Sequence, residues 1–289
     1  MTLPAFELHT PDSVEEATAL LERFGDEAAV YCGGTELLLL MKLGLAEYRH
    51  LVDVKRIAEL GALEAKNGSL VVGAAVTHRR LERSPLVRER WPAVAEMEQT
   101  VANLRVRNAG TLGGNLCFSD PHSDPATFLL AADAEIVCRR GGGKPRQVPL
   151  GEFVLGPYQT ALVPGELLVS VHIPELPAGA ALAHQKLAFH ERPAATVSCL
   201  ARVDDGRIVE ARIAIGSVGV VPVRAREAEA LLTGLSAGAL EPEALEAAGA
   251  AAARAAEPVE DANGSVEYKA NLVGVLVRRT FVEALGRIG

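Results

Sequence analysis

The stretch Asn108-Ala109-Gly110-Thr111-Leu112-Gly113-Gly114-Asn115 limits the fold more than any other part of the chain. Three glycines fall within five residues, with polar residues on both sides and no regular apolar period, which predicts a turn rather than a strand or helix. Glycine admits positive φ and lets another group touch the main chain. Successive N–H groups in such a turn make a concave seat for an anion, with a bound phosphate its natural occupant. Taken alone, a Gly-Gly-Asn turn also serves where only the dihedrals demand glycine. A second loop of the same kind shifts the balance toward a ligand. A short apolar run at 28–32 leads into Gly33-Gly34-Thr35, then Glu36 and the leucine-rich stretch through Met41-Lys42-Leu43, with Gly44 as a stop. This predicts a strand, a glycine turn, Thr35 as N-cap and a short buried helix whose first N–H groups face the glycines. Two such cradles suit a diphosphate. Neither matches the G-x-G-x-x-G fingerprint, and no Gly-Lys-Ser/Thr follows to make a P-loop.

A chain of 289 residues exceeds one small core and suits two domains. Its 29 Lys and Arg against 37 Asp and Glu give a net charge of −8, and with no basic cluster this argues against nucleic acid as a partner. There is no apolar run of about eighteen residues to span a membrane, and Met1-Thr2-Leu3-Pro4 lacks the features of a signal region, so the expected home is the cytoplasm. Cysteines 32, 117, 138 and 199 lack the spacing of a zinc site, a cluster or a disulfide framework. They read as small buried apolar residues rather than redox centres.

Ser13 and Glu16 form a capping box for a helix carried by Val14, Ala17, Leu20, Leu21 and Phe24 up to Gly25. With a strand at 50–54, this gives a small α/β lobe. Residues 62–66 and 69–76 form a hairpin about a type I′ Asn67-Gly68 turn. Thr77 caps a helix over 78–83, which puts His78 in a solvated first turn. Pro92 opens a further helix leading to the second glycine loop. Arg105 and Arg107, just before that loop, read equally as phosphate neighbours and as exposed charges. Asp124 and Pro125 are expected as N-cap and N1 of a helix over 126–132. Strands at 135–139, 146–150 and 166–173 come next, and a proline-rich break at 174–179 marks the domain boundary. The last third is an antiparallel meander at 183–189, 195–203 and 207–218, followed only by helices at 224–233, 242–256 and 267–285. The expected domains are 1–176, with lobes of about 1–57 and 58–176, and 180–289.

Cys32-Gly33-Gly34-Thr35-Glu36 with Met41-Lys42, then Arg107-Asn108, Thr111-Leu112-Gly113-Gly114-Asn115, Ser119-Asp120-Pro121 and Ser123-Asp124 resemble the two flavin-binding loops of a known family. It is the FAD-binding medium subunit of molybdenum hydroxylases, the group of carbon monoxide dehydrogenase, bacterial xanthine dehydrogenase and aldehyde or aromatic hydroxylases. The resemblance runs from Phe6 to a closing helix with Tyr268-Lys269 and Leu276-Val277-Arg278-Arg279. It implies an α+β fold: a two-lobed FAD-binding domain of the vanillyl-alcohol-oxidase-like (PCMH) type, then a smaller C-terminal domain with a three-stranded antiparallel sheet and helices. It also implies FAD as cofactor, with contacts from Cys32, Gly33, Gly34, Thr35, Glu36, Thr111, Leu112, Gly113, Gly114, Asn115, Ser123 and Asp124. Lys186 matches the family's flavin-contacting lysine of the second domain, and Leu167 and Leu168 fall near the place where the family lays apolar residues on the isoalloxazine. Where the family often has a bulky side chain near the ring, this chain reads Arg192-Pro193-Ala194-Ala195. The four-cysteine insertion of 4-hydroxybenzoyl-CoA reductase has no counterpart.

No catalytic dyad, metal site or nucleophile elbow is legible. A chain that holds FAD without a substrate acid or base suits electron transfer. The resemblance implies a heterotrimer that dimerises. In it a molybdopterin-binding large subunit hydroxylates substrate, a small subunit carries two [2Fe–2S] clusters, and this chain passes electrons to an external acceptor. A self-contained flavin-dependent reductase or oxidase of the same wider fold is the alternative; it would need its own proton donor and substrate pocket. A scaffold subunit with a decayed flavin site is a third, which the intact glycines oppose. Gly114→Val is expected to abolish flavin retention, its Cβ filling the diphosphate space and forbidding the dihedrals.

Overall fold

A computed structural model describes residues 2–189 and 191–288. The chain divides into two compact units: Met1–Phe118 with Glu135–Phe153 and Gln159–Ile173, and Ser119–Ala134 with Val154–Tyr158 and Pro174–Gly289. This differs from the expected division, since Ser119–Ala134 and Val154–Tyr158 join the second unit and its last segment begins at Pro174. The segment bearing Ser123 and Asp124 lies with the second unit.

The first unit opens with β1 (Glu7–His9), α1 (Val14–Phe24), β2 (Ala28–Tyr31), α2 (Leu37–Leu43) and β3 (His50–Asp53). The strands form a parallel sheet in the order β1-β3-β2; α1 carries the chain from one edge strand to the other, and α2 supplies the crossover between the neighbours β2 and β3. Ser13 starts α1 by accepting from the Glu16 N–H at 3.1 Å, and Glu16 returns the bond to Asp12 N–H rather than to the cap's own. Helix α2 departs from expectation. Glu36, not Thr35, holds the cap position, and only Met41 is buried while Leu39 and Leu43 are 47% and 50% exposed. The expected buried helix is a surface helix.

The hairpin of β4 (Leu63–Lys66) and β5 (Ser69–Gly73) turns through Asn67 and Gly68 at φ 51° and 74°, as type I′ requires. Five short helices follow: α3 (His78–Arg83), α4 (Pro85–Arg90), α5 (Pro92–Thr100), α6 (Leu104–Ala109) and α7 (Leu112–Phe118). Strands β6 (Glu135–Arg139), β7 (Arg146–Pro149) and β8 (Leu167–Pro174) complete a sheet in the order β4-β5-β8-β6-β7. Leu70, Val72, Ile136 and Val171 are fully buried on it.

The second unit sets α8 (Asp124–Ala131) against a meander of β9 (Ala180–Ala188), β10 (Pro193–Asp204) and β11 (Arg207–Gly216). A two-residue strand, β12 (Val223–Arg224), pairs with β11 and extends the expected three-stranded sheet to four. Successive strand residues point to opposite faces, and β10 uses both. The hydroxyl of Thr196 meets that of Thr127 on α8 at 3.1 Å, while Val197, Cys199 and Ala201 enter the core shared with α9 (Arg226–Leu232), α10 (Pro242–Ala255) and α11 (Val266–Gly286). The alanine-rich α10 has a packing reason. A Cβ on Gly249 would come within 2.9 Å of the Gly274 carbonyl, so only small side chains let α10 and α11 approach this closely.

Candidate functional site

The two glycine loops touch within the first unit. A Cβ on Gly33 would lie 2.5 Å from the Ala109 oxygen and 2.7 Å from Gly110 Cα, and one on Gly110 would lie 3.5 Å from the Thr35 hydroxyl. The Thr111 hydroxyl reaches the Cys32 sulfur at 3.6 Å and closes the seam. Gly34 sits at φ +69°, where only glycine is relaxed. Behind it Tyr31 is held by Lys55, whose Nζ lies 3.6 Å over the ring and 3.0 Å from Asp53. Among the described residues none accepts the N–H of Gly34 or Thr35. Those donors, set beside the second loop, are left free to meet an anion.

The second loop is built differently from the open turn expected. Thr111 bridges Thr77, and helix α7 begins at once. The N–H groups of Leu112 and Gly113 donate to Val76 and Ala74 oxygens at 3.1 Å each, Gly114 N–H donates to the Thr111 hydroxyl at 3.1 Å, and Asn115 N–H to the Thr111 carbonyl at 2.9 Å. The run of donors expected to meet phosphate is therefore taken by the protein. Gly113 is required by packing, since a Cβ there would fall 2.6 to 2.7 Å from Ala74. Gly114 is exposed, lacks a positive φ, and would set a Cβ near Thr111 Oγ1 alone, at 2.9 Å. The dihedral part of the Gly114→Val expectation is thus corrected.

Beneath these loops lies a pair missed in the sequence. His78, expected in solvent, is 2% exposed, and its Nδ1 stands 2.7 Å from Oε2 of the fully buried Glu98. Its N–H donates to the Gly110 carbonyl at 3.1 Å and so pins the second loop from below. A signal existed: Glu98 follows Val94 by four residues, within the apolar stripe of α5, where a carboxylate needs a partner. Arg107 is structural, with Nε 3.1 Å from Glu82 and Nη1 donating to the Val101 carbonyl, while Arg105 is exposed.

All four cysteines are free. Burial pushes the Cys32 thiol up despite the Thr111 hydrogen bond. Burial, then the neighbouring Cys138 and Cys32, pushes Cys117 up to about 12, and burial, then Glu166, does the same to Cys138. None supplies a thiolate near neutrality. A thiol held protonated in the fold stabilises it below its ordinary value of 9.0, and that stability is lost as pH rises through about 12. Urea midpoints between pH of about 8 and 11 should therefore fall, and fall less steeply in Cys138→Ala; parallel slopes would contradict this.

In the second unit, Ser123 rather than Asp124 caps α8, accepting from Ala126 N–H at 3.3 Å. Asp124 is the first helical residue and Pro125 the second, which frees the Asp124 carboxylate. Its Oδ2 lies 2.6 Å from Lys186 Nζ. Its Oδ1 lies 3.8 Å from His184 Nε2, and neither of these buried atoms has a hydrogen-bond partner among the described residues. Arg192, in place of the bulky ring neighbour, pairs with Asp120 at 3.0 Å. Leu167 and Leu168 are buried core residues of β8.

Residues 4–176 match the family model described as the FAD binding domain in molybdopterin dehydrogenase, and 189–284 match the CO dehydrogenase flavoprotein C-terminal domain. The chain is 35% identical to the carbon monoxide dehydrogenase medium chain of Hydrogenophaga pseudoflava, over 99% of each. To the nicotine 6-hydroxylase medium subunit of Paenarthrobacter nicotinovorans it is 33% identical, over 99% of this chain and 100% of that one. It superposes on a solved structure of the Hydrogenophaga carbon monoxide dehydrogenase with a TM-score of 0.95 at 36% identity, covering both chains fully. Quinoline 2-oxidoreductase from Pseudomonas putida 86 gives 0.92 at 30% identity, over 99% of each.

The chain is an FAD-binding medium subunit of the molybdenum hydroxylase family. The medium subunit has the PCMH-like α+β fold in two domains, takes FAD as cofactor, and transfers electrons within a multi-subunit oxidoreductase. Its likeness to carbon monoxide dehydrogenase and quinoline oxidoreductase supports an assembly containing molybdenum and iron–sulfur partners. No helix among the described residues is long and apolar enough to cross a membrane.

Proposed function

We propose that this medium subunit holds the FAD diphosphate chiefly on the turn of Gly33, Gly34, Thr35 and Glu36. The carrying observation is that the N–H groups of Gly34 and Thr35 have no acceptor among the described residues, in a turn that a second glycine loop supports. Thr111, Gly114 and Asn115 border that seat, and Cys32, Leu112 and Gly113 shape its floor. Ser123, Asp124 and Lys186 are assigned as further cofactor contacts on the family motif; the Asp124–Lys186 pair also serves the second unit itself. When bound, FAD supplies one- and two-electron chemistry, and the chain's residues orient it and neutralise its charge.

In this reading the subunit works in a heterotrimer that dimerises, with a molybdopterin-binding large subunit and a small subunit carrying [2Fe–2S] clusters. It takes electrons from those clusters and delivers them to an external acceptor. Four free cysteines support a reducing, cytoplasmic setting. Rapid mixing of the assembled complex with reductant tests the relay. Clusters should reoxidise as the flavin band bleaches, and should stay reduced in a complex stripped of FAD. Cluster reoxidation unaffected by removal of FAD would overturn it.

A further inference from the structure

We propose that Glu7, His9 and His50 bind a divalent ion of the zinc class, which clasps the edge strand β1 to β3. Glu7 and His50 are register partners on the two parallel strands, and His9 lies two residues beyond Glu7, so all three side chains leave the same face of the sheet. His9 Nε2 and His50 Nδ1 are 3.1 Å apart, and Glu7 Oε2 lies 3.5 Å from the latter and 3.9 Å from the former. A point inside this triangle is about 2.1 Å from each corner, the distance at which zinc takes imidazole nitrogen and carboxylate oxygen.

The surroundings suit an ion that retains an open position. The histidine side chains are 15% and 17% exposed and that of Glu7 is 66% exposed, so the ion would rest on two sheltered rings and be reachable from the carboxylate side. Phe24 stacks on His50 with centroids 3.7 Å apart at 16°, and on His9 at 5.0 Å and 30°, which fixes both ring planes. Two imidazoles and one carboxylate select late first-row divalent ions over calcium or magnesium, which prefer all-oxygen sets. Three ligands leave room for a water. The ion would tie a three-residue edge strand, otherwise held by β3 alone, to the centre of the sheet.

The test uses the full, tag-free chain after chelator treatment, titrated calorimetrically with zinc chloride. One ion per chain is expected, with slowed amide exchange at Glu7–His9. His50→Gln should weaken affinity by more than about 100-fold and Glu7→Gln by about tenfold. Absence of binding overturns the proposal. So does unchanged affinity in His50→Gln, which would put the ion elsewhere, for instance on a thiol. Should His50→Gln fail to fold by circular dichroism, exposed Glu7→Gln decides, and unaltered zinc affinity in it overturns the clasp.

Discussion

Gly33→Ala is expected to leave the purified chain without FAD. The added Cβ would sit 2.5 Å from the Ala109 oxygen and 2.7 Å from Gly110 Cα, both main-chain atoms that cannot swing aside. One of the two loops must retreat, at a cost of about 1–3 kcal/mol in strain. The retreat also moves the Gly34 and Thr35 donors, and the loss of cofactor should therefore exceed the loss of stability. The flavin-to-protein ratio should approach zero while far-ultraviolet circular dichroism stays native. Gly114→Ala is the contrast: its Cβ meets one hydroxyl on an exposed helical turn, so the fold and most of the FAD should be kept. Full flavin content in Gly33→Ala would show that loop contact is not needed for binding.

Lys186→Met should destabilise the second unit by about 3–5 kcal/mol, the penalty for stranding one member of a buried ion pair. Asp124 is only 4% exposed, and its second oxygen already lacks a hydrogen-bond partner among the described residues. Without the ammonium group 2.6 Å away, the carboxylate keeps, among the ion-pairing side chains of the described residues, only the ring of His184 at 3.8 Å. A fall in melting temperature on the order of 10 °C is expected by calorimetry. Adding Asp124→Asn should restore much of it, since a neutral pair leaves no buried charge. A single variant as stable as the parent would mean that water screens the pair.

Much of this was legible because it depends on short-range chemistry. Asn67-Gly68 demanded a type I′ turn, and the break expected between the meander strands at 195–203 and 207–218 falls where Asp205 and Gly206 take positive φ. Gly33-Gly34 announced a close approach. What escaped depends on contacts between distant residues. Helices α6 and α7 were missed because their caps are local but their support is not: Asn103 caps α6, whereas the first N–H groups of α7 lean on Val76 and Ala74. The leucines of α2 suggested burial by composition alone, yet the described residues leave Leu39 and Leu43 about half exposed. Ser123 and Asp124 are equally competent caps, and the helix started one residue earlier than the proline implied. His78 looked solvated because its partner stands twenty residues away on another helix.

The seat for the diphosphate is tested most directly by following the glycine amides of a ¹⁵N-glycine-labelled, flavin-free chain as FAD is added. The Gly34 resonance should move downfield as its N–H takes an anionic acceptor, while Gly68 and Gly206, in hairpin turns, stay in place. FAD binding with Gly34 unmoved would contradict the assignment.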